Sequence, residues 1–188
     1  MTREPPAIAP DTASRSHVRS LVLVCTGEGK GKSTAAMGVA LRSLARDWRV
    51  LVVQFVKSGS WRSGEQSMLE RLGAEWRAVG DGFSWDAEDL EASAALSRDA
   101  WAGAASALAS GTHDLVVLDE ITYPMAWGWI DTDAVVAAVA NRDDGVSVVA
   151  TGRDAPPALL EVADTVTEMR NVKHAFDAGT LAKRGIDF

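Results

Sequence analysis

The stretch LVLVCTGEGKGKSTAAMGVALRSLARD, residues 21 to 47, decides the fold. Its opening LVLVCT (21–26) is a continuous apolar run rich in valine, the composition of a central parallel strand covered on both faces. A glycine-rich turn follows at once. STAAMGVALRSLARD (33–47) then sets Ala36, Met37, Ala40, Leu41 and Leu44 on one stripe at helical spacing. Strand, glycine loop and helix in succession make an anion cradle, because backbone N–H groups and the positive end of the helix dipole meet at the turn.

The turn GEGKGKST (27–34) matches the nucleotide-binding pattern G-x-x-x-x-G-K-[ST] at Gly31, Lys32 and Ser33. The leading glycine falls due at position 26, which holds Thr26; Gly27 and Gly29 supply the backbone freedom instead. Residues expected around the phosphates therefore run through Thr26, Gly27, Glu28 and Gly29 to Lys30, Gly31, Lys32, Ser33 and Thr34. Lys32 is expected to meet the terminal phosphates and the Ser33 hydroxyl to bind Mg²⁺ or Mn²⁺. Lys30 is expected to serve as a further donor.

Working outward, RVLVVQFVK (49–57), HDLVVLDE (113–120) and GVSVVATGR (145–153) are further apolar strands, with shorter ones at ADTVTEM (163–169) and EWRAVG (75–80). Helices are expected at 63–73, closed by Gly73, at 87–110, and at 131–142 with Asp131 as cap. Strands alternating with helices imply right-handed crossovers, hence an α/β domain with an open, mostly parallel sheet and helices on both faces. In such sheets ligands bind at the carboxyl ends of the strands. Asp119 stands at one such end, placed to hold Mg²⁺ directly or through water. Glu120 reads equally as a water-polarising catalytic group or as a solvated strand-end carboxylate, and Arg153 as a triphosphate ligand or a surface ion pair.

The 188 residues support one domain: an arm over 1–18, poor in apolar residues and rich in proline, then a core over 19–188. A net charge of −7 without a Lys/Arg run removes the electrostatic footprint of a nucleic-acid binder. No apolar stretch reaches membrane-spanning length and the opening lacks a signal segment, so a cytoplasmic protein without membrane contact is expected. The single cysteine, Cys25, is expected in the core, and His17, His113 and His174 in structural roles. The chain has seven tryptophans, too many for each indole N–H to find a buried partner, so some are expected to face a ligand or another subunit.

From about Leu21 to Phe188 the sequence resembles the P-loop-type corrinoid adenosyltransferases. The resemblance is carried by TGEGKGKSTAAMGVALR (26–42), VVQFVKSG (52–59), GFSW (82–85), LVVLDEI (115–121), VVATGRDAP (148–156), ADTVTEM (163–169) and KHAFDAGTLAKRGIDF (173–188). It implies a RecA-like P-loop domain in which a reduced Co(I) corrinoid attacks the 5′ carbon of ATP and expels the whole triphosphate. The nucleotide then lies reversed in the loop, with Lys32 on the leaving group. It further implies that Phe83 and Trp85 sit below the corrin ring and exclude a lower axial ligand, easing reduction of Co(II). The resemblance also implies a homodimer, an amino-terminal segment that orders over the corrin, a carboxyl-terminal KRGIDF that folds back over the domain, and a flavoprotein as possible electron donor. Glu28 departs from the family, whose members can carry a neutral polar residue there. Competing readings are a small nucleoside kinase or ATPase, which would leave ADP, and a non-catalytic corrinoid or ATP binder.

Overall fold

A computed structural model describes residues 15–56, 63–79 and 90–187. Six strands, β1 (Val22–Thr26), β2 (Val50–Gln54), β3 (Glu75–Ala78), β4 (Leu115–Asp119), β5 (Ser147–Thr151) and β6 (Thr165–Glu168), form one sheet in the order β3-β2-β4-β5-β1-β6. Every pairing is parallel. The helices are α1 (Lys32–Leu44), α2 (Gly64–Arg71), α3 (Leu90–Ser110), α4 (Thr122–Ala126), α5 (Thr132–Ala140) and α6 (Pro157–Glu161).

The central strands are apolar throughout because both faces are covered. Val50, Val52, Leu115, Val117 and Val149 pack with Ala36, Met37, Ala40 and Leu69 of α1 and α2. Their neighbours Leu51, Val53, Val116, Leu118 and Val148 point the other way, onto Ala100, Ala104 and Leu108 of α3 and Val135 and Val139 of α5. Alanines on α3 let that helix lie close to the sheet, with Ala104 fully buried. Cys25 is buried, as expected.

Several boundaries differ from the sequence reading. β2 ends at Gln54 and β4 at Asp119, each shorter than its apolar run. Leu41 is half exposed and Ser43 takes its place on the inner face of α1; the Ser43 hydroxyl donates to the Val39 carbonyl, so burial leaves it satisfied. α5 begins on its expected cap, Asp131 accepting from the Asp133 amide, and α2 on Ser63, which accepts from the Gln66 amide. α4 and α6, five residues each, are too short to leave a periodic signature. Among the described residues no helix is long and apolar enough to cross a membrane.

Topology places the site. β5 lies between β1, which feeds the glycine loop, and β4, which ends in Asp119. The carboxyl ends of these three strands converge on one edge of the sheet.

Candidate nucleotide site

Gly31 caps α1 at φ 113°, and no side chain caps the helix, leaving its first-turn amides directed at the loop's concavity. Lys32 folds back over the turn: its Nζ donates to the carbonyls of Gly27 and Gly29, both at 2.7 Å. An ammonium has three N–H donors, so one remains for a phosphate. Burial, followed by the nearby Arg153 guanidinium, pushes the Lys32 pKa below its ordinary value, against the pull of Glu28 and Glu120.

Gly27 and Gly29 are required by what lies behind the loop. Met169 continues from β6 and donates to the Thr26 carbonyl at 2.8 Å, and its own carbonyl accepts from the Gly29 amide at 2.6 Å. A Cβ on Gly27, which also has φ 93°, would stand 2.6 Å from the Met169 carbonyl oxygen, and one on Gly29 2.7 Å from Met169 and Arg170 backbone atoms. The glycines that replace the expected one at position 26 thus serve close backbone approach. The Thr26 hydroxyl accepts from the Ala155 amide.

Charged side chains ring the loop. Glu28 pairs with Arg153 at 3.4 Å, and Lys30 with Asp187 of the carboxyl-terminal segment at 2.6 Å. Lys30, expected as a further donor, is held by that carboxylate. The same contact brings Asp187 of the carboxyl-terminal segment against the loop.

Asp119 is fully buried, with each carboxylate oxygen held: Gln54 Nε2 donates to Oδ2 at 2.8 Å and Thr151 Oγ1 to Oδ1 at 2.7 Å. Glu120 follows in the left-handed region, φ 63°, its amide donating to the Thr151 hydroxyl at 2.9 Å. A non-glycine residue held there is a backbone feature that clusters at functional sites.

A carboxylate accepting one bond per oxygen keeps further lone pairs. Ser33 borders a small cavity of about 20 Å³, room for one water, together with Met37, Gln54, Ser63, Glu65, Trp76 and Asp187. The Trp76 indole Nε1 is buried, with no hydrogen-bond partner among the described residues. Among the described residues no three His, Cys, Asp or Glu side chains gather as a metal cage. A hydroxyl and a carboxylate, the donor types of Ser33 and Asp119, suit Mg²⁺, which takes few protein ligands and keeps waters and phosphate oxygens. Thr34 borders an apolar groove between α1 and α2.

Sequence reasoning missed Gln54, Thr151, Met169 and Asp187. Gln54 had a signal, as the one polar residue in VLVVQ. Phe83 and Trp85 lie outside the described residues, as do Trp61 and most of the arm. Among the other tryptophans, Trp48 and Trp127 are partly exposed, and Trp127 stacks on Tyr123 and lies against Trp129. His113 bonds Glu75, and His174 Nδ1 accepts from the Phe176 amide, both structural contacts.

A glycine cradle at the head of α1, set on a parallel sheet two strands from a buried strand-end aspartate, places the molecule among the P-loop nucleotide-binding domains. Within that class the chain belongs to the corrinoid adenosyltransferase family: residues 18–188 match the model of the ATP:corrinoid adenosyltransferases BtuR/CobO/CobP. It is 44% identical to the corrinoid adenosyltransferase of Escherichia coli K12, over 90% of this chain and 86% of that one. It is 42% identical to corrinoid adenosyltransferase CobA of Salmonella typhimurium, over 94% and 89% of the two chains. With the corrinoid adenosyltransferase of Pseudomonas aeruginosa PAO1 the identity is 40%, over 100% of this chain and 93% of the other.

Proposed function

We propose that the protein transfers the 5′-deoxyadenosyl group of ATP to the Co(I) centre of a corrinoid and releases triphosphate, in the biosynthesis or salvage of adenosylcobalamin. The observation that carries this reading is the cradle itself: Lys32, anchored on Gly27 and Gly29, keeps one N–H for a departing phosphate chain in a protein of this family.

The cobalt electron pair forms the Co–C5′ bond while the C5′–O bond breaks, and that bond's electrons leave on the triphosphate. Negative charge grows on the oxygen the loop faces, so preorganised donors stabilise the transition state more than the ground state. Lys32 and the first amides of α1 hold that charge in place. Ser33 and Asp119 are the residues that would hold Mg²⁺, which supplies further positive charge to the leaving group when bound. Arg153, near enough to Lys32 to lower its pKa and paired with Glu28, is the further cation this reading assigns to the same phosphates. Co(I) needs no general base, so Glu120 has no proton to take from the nucleophile; its carboxylate acts on the field around Lys32.

Phe83 and Trp85 exclude the lower axial ligand in this reading, which rests on resemblance. Alanine at either position should slow turnover from Co(II) with a mild reductant and spare transfer from chemically made Co(I); equal losses in both assays would refute the role. The same reading makes the protein a cytoplasmic homodimer, served by a flavoprotein donor, with residues 1–18 ordering over the bound corrin.

A spectrum of enzyme, ATP, Mg²⁺ and chemically reduced corrinoid tests the proposal. Growth of a light-sensitive alkyl-cobalt absorbance supports it. Corrinoid binding with no such absorbance, or ADP as the nucleotide product, contradicts it.

A further inference from the structure

Three buried polar groups on three adjacent strands meet at the carboxyl edge of the sheet. Gln54, at the end of β2, and Thr151, at the end of β5, flank Asp119, at the end of β4, and each donates one hydrogen bond to a different carboxylate oxygen. All three side chains are at most 3% exposed. Donors on both oxygens fix the torsion of the carboxylate and leave further lone pairs on each oxygen at a set orientation.

Thr151 does more than donate. Its oxygen also accepts the Glu120 amide, and so holds the residue whose φ of 63° turns the chain out of β4. The next residues are stitched to the same strand end: Thr122 Oγ1 donates to the Arg153 carbonyl at 2.6 Å. A Cβ on the intervening Gly152, φ 143°, would fall 1.9 Å from that hydroxyl. One hydroxyl therefore sets the Asp119 carboxylate and the Glu120 backbone, beside the turn that carries Arg153.

Simple core packing does not call for this arrangement. Valine has nearly the volume of threonine and suits a central strand, yet at position 151 it would leave an Asp119 oxygen and the Glu120 amide each short of a partner. The geometry points to Thr151 and Gln54 as positioning residues that clamp Asp119 for a divalent cation, with Thr151 also setting the Glu120 turn. This rests on the reading of Asp119 as a metal-site carboxylate. Groups that orient a ligating side chain typically change metal affinity by about 10- to 100-fold when removed.

The test is a Mn²⁺ titration of the full chain with ATP held below the protein concentration, read by loss of the free-ion EPR signal against an ATP-only control, with the metal-free thermal midpoint measured in parallel. Thr151→Val and Gln54→Met are each expected to weaken Mn²⁺ binding at least about tenfold, as is Asp119→Asn, while Thr151→Ser stays within about twofold of the parent. Mn²⁺ affinity within twofold of the parent in Thr151→Val or Gln54→Met, with Asp119→Asn weakened, overturns the clamp and leaves the metal site standing. Unchanged affinity in Asp119→Asn overturns the metal reading and the clamp with it. A lowered thermal midpoint with unchanged Mn²⁺ affinity marks the two residues as merely structural and also overturns the proposal. Should Thr151→Val not fold, Gln54→Met decides by the same criterion from the opposite oxygen.

Discussion

The Gly29 amide donates to the Met169 carbonyl across 2.6 Å, joining the middle of the phosphate loop to the chain leaving the edge strand β6. The loop is thus pinned from behind at a residue that must lack a side chain. Gly29→Ala would bring a Cβ to 2.7 Å from that carbonyl and force the loop or the 169–170 backbone to shift. The expected result is loss of ATP binding by at least about tenfold, with a stability cost of about 1–3 kcal/mol. Calorimetric titration with ATP and a denaturant series would measure both; parent-like ATP affinity would show that the contact does not shape the cradle.

Lys32 is the one loop side chain whose nitrogen is fixed by two loop carbonyls. Lys32→Ala should lower kcat/KM by about 100-fold or more, since loss of one preorganised donor to a developing anion has that effect. Far-ultraviolet circular dichroism should stay unchanged. Activity within tenfold of the parent would place the charge-stabilising role elsewhere.

Glu28 puts a carboxylate next to the phosphate site and occupies Arg153 at 3.4 Å, with both side chains about half exposed. An exposed ion pair contributes at most about 1 kcal/mol, so Glu28→Gln, which frees the arginine and removes a repulsive charge, should tighten ATP binding up to about fivefold. Weaker ATP binding in the variant would indicate that Glu28 assists the nucleotide directly.

Away from the site, the Arg49 side chain, then the Arg49 amide, hold the Asp114 carboxyl down at about 2. A depressed folded-state value favours the ionised form, so the contribution is complete above about pH 4 and is lost as the pH falls through about 2. Asp114→Asn should therefore lower the thermal midpoint at neutral pH, and the gap to the parent should close across that acid window. A gap of constant size from neutral pH to about 2 would contradict the assignment.

The features legible in the sequence were those with local causes. LVLVCT and LVVLDE could be read as buried strands because their apolar runs have no polar alternation, and the cradle because Gly31, Lys32 and Ser33 follow a strand directly. Contacts that depend on strand order were not legible. Gln54, Asp119 and Thr151 are far apart in the chain and meet only because β2 and β5 flank β4. Lys30 gives no sign in its own loop that Asp187 will claim it. Nor does the loop show that the Thr26 hydroxyl accepts from Ala155 in a neighbouring turn.

The central claim is that the phosphates leave together. Phosphorus NMR of a turnover mixture, with alkyl-cobalt counted by its absorbance in the same tube, tests it most directly. Inorganic triphosphate should appear in a one-to-one ratio with adenosylated corrinoid. ADP and a phosphorylated acceptor, or orthophosphate without any alkylated cobalt, would contradict the account.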